Sequence, residues 1–321
     1  MWHCGILMSH AAHKRLTAGR MAARLLIVLL SLALTIVLVA HRSFPERGGL
    51  GLFLDNLAPW LGLGVPLLFC WALAARGRIS FLVLLLPLVA WSWIFGAAFL
   101  PANAPGPAAK FIVATQNVHE DGAHSSAQGL LATGADLISL QELGEGQAQE
   151  VAALLEETHP HQYTVGTVGV YSKYPILDEE PLDLGLGWSR AVKLRVRTDA
   201  GDVTVYAVHV ASARPLEHAE RDLMLSNLGR TLAADRSAKI IALGDFNATN
   251  ADRHFSPVSE QLNKVPHEGW GFGMTWPNRP MPMLGIDHVL VRGLDTGSSD
   301  TLAVGDSDHR AVIATLDLAS E

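Results

Sequence analysis

The sequence predicts an α/β sandwich built on mixed β-sheets, preceded by an all-α transmembrane region of about three helices. Three observations predict it. Residues 1–103 contain three apolar runs of about the length that spans a bilayer as helix. From residue 110 onward, short β-like runs alternate with helical ones and include a hairpin, the pattern of a mixed sheet covered by helices. The charge divides at the same place: residues 1–103 carry eight Lys/Arg and two acids, whereas residues 104–321 carry 16 Lys/Arg and 29 acids, a net of −13.

The first apolar run, 21–40, has one charge, Arg24. The second, 57–74, has none but contains Pro59 and Pro66, which a span tolerates when neighbouring helices satisfy the freed backbone groups. The third, 79–100, is uncharged. A cleaved signal peptide fits the first run poorly, because two more spans follow and no small-residue cleavage pattern stands before His41. Lys14, Arg15, Arg20 and Arg24 lie at the start of the first span, and Arg76 and Arg78 separate the second from the third; only Arg42 and Arg47 follow the first. The positive-inside rule then puts the N-terminus in the cytoplasm and everything after residue 100 outside it. The stretch PANAPGPAA at 101–109 excludes regular structure and favours an extended spacer. The expected organisation is a membrane anchor at 1–103, a linker at 104–109 and a globular domain at 110–321.

Within that domain, strands are expected at 111–118 and 136–143, each followed by a helix, at 125–133 and 147–158. A β-like run with glycine covers 163–171. Residues 191–198 and 203–210 alternate apolar and polar side chains about a turn at 199–202, the mark of a hairpin. An amphipathic helix is expected at 215–234, and strands at 240–247, 286–292 and 311–318.

Polar residues punctuate the ends of these apolar strands, where a sheet gathers them along one rim. They are Asn117, Glu142, His209, Asp245, Asn247, Asp287, Asp308 and His309. On a strand, residues i and i+2 share a face, so Asp245 and Asn247 are expected to point together and Phe246 into packing. An Asx turn after Gly244 is the structural alternative. Glu142 is a hard carboxylate suited to Mg²⁺ or Mn²⁺. With only Cys4 and Cys70, no H-E-x-x-H and no close His pair with zinc spacing, zinc is disfavoured; without a Walker A lysine loop, so is an NTPase. The acidic balance disfavours a general nucleic-acid binder. Asp306 is expected to cap or turn the chain, and His119, His124, His159 and His161 to be surface residues.

Taken in order, TQNVHE, LQEL, AVHV, LGDFNAT, GIDHVLV and SDHRAV resemble the endonuclease/exonuclease/phosphatase superfamily over 110–321. The resemblance implies a four-layered, DNase I-like α/β sandwich. It also implies that Glu142 and Asp308, with Asn117, hold Mg²⁺ or Mn²⁺; that Asp245 aligns and deprotonates the attacking water; and that Asn117 and Asn247 grip phosphate oxygens. Asp287 would orient His309, and His209 would contact the phosphate or act as general acid. Arg190 could bind a second phosphate, or be a surface arginine; Ser172-Lys173 is either a family position or a structural turn. A narrower resemblance, through APWLGLGVP, VGTVGVYSKYP, LGLGWSRAVKL and GFGMTWPNRPMPMLGIDHVLVRG, is to VanJ-type membrane proteins associated with teicoplanin resistance. The expected protein is a multi-pass membrane hydrolase whose partners are membrane lipids and a lipid-linked phosphate, with nucleic acid disfavoured. An extracytoplasmic nuclease and a non-enzymatic protein with a decayed site are the alternatives. The stretch 270–284 is either a packed loop or a contact for the bilayer.

Overall fold

The computed structural model describes residues 2–100, 110–119 and 122–318; the expected linker at 104–109 lies outside them. The chain divides into two compact units, Met1–Ala97 and Ala98–Glu321.

The first unit holds helices α1 (Trp2–Ala40), α2 (Leu50–Leu57), α3 (Gly64–Ala75) and α4 (Arg78–Phe95). Three segments are long and apolar enough to cross a membrane: Ala18–Ser43, Leu50–Ala75 and Arg78–Phe99. The second is not one continuous α-helix. It tightens into a 3₁₀ stretch over Ala58–Leu63, with Pro59 in its first turn, where the missing proline N–H costs least. Arg24 donates to Ala75 O at 2.9 Å and Arg76 O at 2.8 Å. These carbonyls end α3 and carry the negative pole of its dipole, so the single charge of the apolar run 21–40 is met without an acid. Leu25, Leu29, Ile36, Leu82, Val89 and Trp93 are exposed, a larger apolar exterior than a soluble bundle shows.

The second unit runs β1 (Lys110–Asn117), α5 (Ala123–Leu131), β2 (Leu137–Gln141), α6 (Glu145–Leu155), β3 (His161–Val165), β4 (Val168–Ser172), β5 (Ile176–Leu182), β6 (Ala191–Thr198), β7 (Gly201–His209), α7 (Ala219–Ala234), β8 (Ile240–Asp245), α8 (Ser256–Ser259), β9 (Asn263–Lys264), β10 (Asp287–Arg292), β11 (Asp295–Leu302) and β12 (Ala311–Asp317). Two six-stranded sheets result, in the orders β11-β12-β1-β2-β4-β3 and β5-β6-β7-β8-β10-β9.

Four layers follow from three apolar clusters. Phe111, Val113, Val170, Val205, Ile241 and Val289 lie between the two sheets. Ala127, Leu130, Val151 and Leu155 pack α5 and α6 on Ala114, Ile138 and Tyr171 of the first sheet. Met224, Leu225, Leu228 and Leu232 form a stripe of α7 against Tyr206, Val208 and Ala242 of the second. The expected α/β sandwich with two mixed sheets is therefore the fold.

Three local expectations are corrected. The β-like run at 163–171 is two strands, β3 and β4, joined at Gly166, whose φ is +55°; an added Cβ there would lie 2.1 Å from Ser189 O. Strands β5 and β11 were not expected: ILDEEPL and DTGSSDTL lie at sheet edges, where a strand has one full partner strand and less apolar alternation is demanded. The strand expected to reach Asn247 stops at Asp245.

Candidate active site

Sheet register assembles the site. The parallel pairing of β7 with β8 sets His209 beside Asp245, and the antiparallel pairing of β10 with β8 sets Asp287 on its other side. Three polar residues that are far apart in sequence thus stand in one row across three strands. In the other sheet, β1 pairs with β2 so that Asn117 lies opposite Gln141, one residue before Glu142. The row depends on Gly244, with φ +139°. A Cβ at that position would lie 2.0 Å from Val208 O on the neighbouring strand, so only glycine allows the strands to pair here.

Asn117 joins the sheets. Its Nδ2 donates to Glu142 Oε1 at 2.9 Å and to Asp245 Oδ2 at 3.1 Å, while its Oδ1 accepts the His119 N–H at 3.0 Å. Both ends of the side chain are engaged. Asp245 and Asn247 do meet, but not as alternate residues of one strand. Asn247 has a φ of +47° and lies beyond β8. Its backbone N–H donates to Asp245 Oδ1 at 2.8 Å, and its Nδ2 to Asp245 Oδ2 at 3.1 Å and Val210 O at 2.9 Å. An Asx-type turn produces the juxtaposition that strand geometry was expected to produce.

His309 Nδ1 lies 2.9 Å from Asp287 Oδ2, both residues buried. Burial alone would lower the His309 pKa, but the Asp287 carboxylate outweighs it, with help from Asp245 and Asp308, and the net shift is upward. Asp245 is raised, by burial first and by repulsion from Asp287 second. Glu142 is held down to about 2, chiefly by its interaction with His209; burial opposes this and the Asn117 amide adds to it. Glu142 is thus held ionised, Asp245 is displaced toward neutral pH and the positive form of His309 is favoured.

His209 is buried, with Thr167 Oγ1 2.9 Å from its Nδ1 and Glu142 Oε1 3.5 Å from its Nε2. Arg190 Nη2 lies 2.7 Å from the same Nε2, and Trp188 stacks on the guanidinium at 5.2 Å. Arg190 is thus part of the site wall and not a loose surface arginine. Asp308 Oδ2 accepts from Trp276 Nε1 at 3.0 Å. Asp306 exchanges hydrogen bonds with Ser125 and serves as a turn residue. Ser172 Oγ accepts the Tyr174 N–H, and Lys173 pairs with Asp136 at 3.0 Å, so this pair is a structural turn.

Asp245, Asp287 and His309 bring one ligand atom each within 4.8 Å of one another, which could also hold a cation. Sequence reasoning missed Thr167, Trp276 and His119. His119 is exposed, as expected, and its Nδ1 lies 3.7 Å from Glu142 Oε2 and 3.6 Å from Asp308 Oδ1. Its place two residues after Asn117 was the one available signal. His159, also expected on the surface, is buried, with Nε2 3.1 Å from Ala135 O.

Comparison with known proteins matches residues 114–309 to the sequence model of the Endonuclease/Exonuclease/phosphatase family. Among solved structures, the D. rerio TDP2 complexed with single strand DNA product shares the fold with a TM-score of 0.54 at 15% identity, over 65% of this chain and 99% of that one. Sphingomyelinase C from Streptomyces griseocarneus does so with a TM-score of 0.50 at 18% identity, over 64% and 99%. Beta toxin from Staphylococcus aureus has a TM-score of 0.52 at 14% identity, over 64% and 99%. No curated protein matches.

Proposed function

The chain belongs to the endonuclease/exonuclease/phosphatase family, whose members hydrolyse phosphoesters, and on that premise we propose a divalent-metal-dependent phosphohydrolase or phosphodiesterase that works at the membrane surface outside the cytoplasm. The observation that carries the reaction class is the connected polar network in which Asn117 bridges Glu142 and Asp245 while Asp287 pairs with His309 alongside. So many buried polar side chains in mutual contact cost stability that a purely structural rim would not spend.

The family implies Mg²⁺ or Mn²⁺, and the residues fit it. Glu142 is ionised far below neutral pH, and Asp308 Oδ1 is shielded from solvent with no hydrogen-bond partner among the described residues. Glu142 and Asp308 would hold the ion, which supplies positive charge against the phosphoryl oxygens. Asp245, raised toward the working pH and fixed by Asn117 and Asn247, aligns and deprotonates the attacking water. His309, kept protonated by Asp287, and His209 beside Arg190 face charge developing on the phosphoryl group. His209 would contact the phosphate or act as general acid toward the leaving oxygen.

For the substrate, the proposal is a lipid-linked phosphate or diphosphate of the cell envelope, as the VanJ-type resemblance suggests. The fold does not choose, since a sphingomyelinase C and a DNA-bound TDP2 both share it. Three membrane-length helices, a short proline-rich spacer and the −13 balance of the domain favour a lipid head group over a polyanion. The full-length chain in vesicles is assayed for phosphate release from a lipid diphosphate, a phospholipid and a nucleotide, and for plasmid nicking, with a phosphatase reporter after Glu321 reading sidedness. Release from the lipid diphosphate with an externally active reporter supports the proposal. Efficient DNA cleavage with no lipid turnover replaces it with the nuclease reading.

A further inference from the structure

Between Gly269 and Ile286 the chain holds two Trp, one Phe, three Met and three Pro, and a single charged residue, Arg279. In a domain with a net charge of −13, that one charge is positive. The base of this loop is fixed by hydrogen bonds. Trp276 and Leu284 form an antiparallel bridge, in which the Trp276 N–H donates to Leu284 O at 2.8 Å and the Met283 N–H donates to Trp276 O at 2.9 Å. Buried Asn278 donates through Nδ2 to Ser307 O at 3.1 Å, and the Arg310 N–H donates to Thr275 O at 2.9 Å. A loop held from both sides does not turn its apolar side chains inward. Met281 is 50% exposed, Met283 41% and Trp270 88%. Single exposed apolar residues are ordinary, but several on one nearly uncharged segment mark a surface that something covers.

A second set of contacts indicates what covers it. Ala98 and Phe99 belong to the second unit. Ala98 O accepts the Gly271 N–H at 3.2 Å, and the Phe99 ring meets Trp270 edge-on at 6.4 Å and Phe272 at 5.4 Å. The same two residues end the membrane-length segment Arg78–Phe99. The point where the chain leaves that segment is therefore held against the exposed tryptophan, and the boundary of a bilayer is where tryptophan is enriched. Arg279 in turn borders, with His119 and Asp308, an open cavity of about 190 Å³.

We propose that the loop 270–284 is a lipid-docking surface: Trp270, Met281 and Met283 enter the head-group boundary of the bilayer that holds the chain's own spans, and Arg279 meets lipid phosphates there. The loop is tied to the site, because the Trp276 indole donates to Asp308 Oδ2 at 3.0 Å. Docking then sets the mouth of the site at head-group level, where a lipid-borne phosphate reaches it without leaving the membrane. The inference rests on the membrane-surface reading above and adds to it the surface that makes the contact.

The test uses the full-length protein in nanodiscs of phosphatidylcholine and phosphatidylglycerol, with Cys4→Ser and Cys70→Ala removing the native thiols. A fluorophore is attached at Met281→Cys, at Met283→Cys and, for comparison, at Glu179→Cys, an exposed position of the edge strand β5. Lipids brominated in their acyl chains report contact with the bilayer, and iodide reports contact with water. Brominated lipid is expected to quench the labels at 281 and 283 at least about twofold more than the label at 179, with iodide in the reverse order. Arg279→Glu should lower the lipid quenching at 281 by about twofold, because its attraction to anionic head groups is reversed; an unchanged value overturns the part assigned to Arg279. Labels at 281 and 283 that iodide reaches as readily as the label at 179 overturn the proposal. So do labels that neither quencher reaches, since protein, a second copy included, then covers the loop. Phosphate release from a lipid diphosphate in the same nanodiscs separates the two levels: docking without release keeps the surface and rejects the lipid-diphosphate reading, whereas release without docking rejects the surface alone.

Discussion

Replacing Arg221 by methionine should weaken both the fold and the active site. Arg221 is fully buried in α7. Its Nε donates to Asp222 Oδ1 at 2.7 Å, and its Nη1 to Asp252 Oδ2 at 2.5 Å and to Asn247 O at 3.2 Å. Methionine fills most of the volume but takes the guanidinium from Asp252, whose side chain is 1% exposed. Removing one partner of a buried pair costs about 3–5 kcal/mol. The lower end applies here, because Asp252 Oδ1 keeps the His254 N–H at 2.8 Å. At about 2–4 °C per kcal/mol for a domain of this size, 3 kcal/mol lowers the melting temperature by about 6–12 °C. The Asn247 carbonyl loses its clamp, and Asn247 holds the left-handed turn that orients Asp245, so turnover should fall by about tenfold. The assay is thermal unfolding of the full-length chain in detergent by near-ultraviolet circular dichroism, with Arg221→Met, Asp252→Asn and the double variant. Neutralising Asp252 in the Arg221→Met background should recover part of the loss, giving a coupling of about 2 kcal/mol. A melting temperature for Arg221→Met within about 2 °C of wild type would refute the reasoning, as would a double variant no more stable than the single one.

Three further outcomes are expected. Glu142→Gln and Asp245→Asn should each lower turnover by at least a hundredfold, since both remove transition-state stabilisation; Asp245→Asn should also lose some thermal stability, because Asn117 and Asn247 donate to both carboxylate oxygens and an amide nitrogen cannot accept; an unaffected Asp245→Asn rules out its assigned role. Chelation with EDTA should abolish turnover and added Mn²⁺ or Mg²⁺ restore it, so full activity in EDTA contradicts the metal assignment. Buried His288 and His159 should pull stability down as pH drops below 6.5, against the raised Asp245 carboxyl, which takes up its proton first in the folded state below about 6 and works the other way. His288 is fully buried with Nε2 2.8 Å from Ala248 O, and burial carries its pKa well below the ordinary 6.5; burial lowers His159 in the same direction. Below 6.5 the unfolded chain takes up protons that the folded chain refuses, so each such group costs up to about 1.4 kcal/mol per pH unit until its folded pKa is reached. His288→Gln should flatten that part of the stability profile, and an unchanged slope between pH 6.5 and 5 would show that His288 does not set it.

The sequence by itself determined the order of the central strands and the longer helices of the domain, the apolar faces of those strands and the chemistry of the residues that end them. Those strands are buried on both sides, so their patterns are strong, and Asn117, Glu142, His209, Asp245, Asp287 and His309 stand out as polar ends of apolar runs. The three apolar spans of the first unit were legible for the same reason: length and hydropathy are properties of one segment at a time. What only the tertiary structure decided depends on two segments at once. The row His209–Asp245–Asp287 is set by strand register, which no single strand encodes. Arg221 occupies the buried stripe of α7 with Met224, Leu225 and Leu228; its burial is bearable only because Asp222 and Asp252 are brought to it. Asn247 faces Asp245 through a left-handed turn and not through strand alternation. His119 was read as a surface residue because an exposed imidazole means nothing until two carboxylates, 23 and 189 positions further along the chain, arrive beside it. The edge strands β5 and β11 escaped detection because an edge gains its order from a single neighbour and asks little of its own side chains.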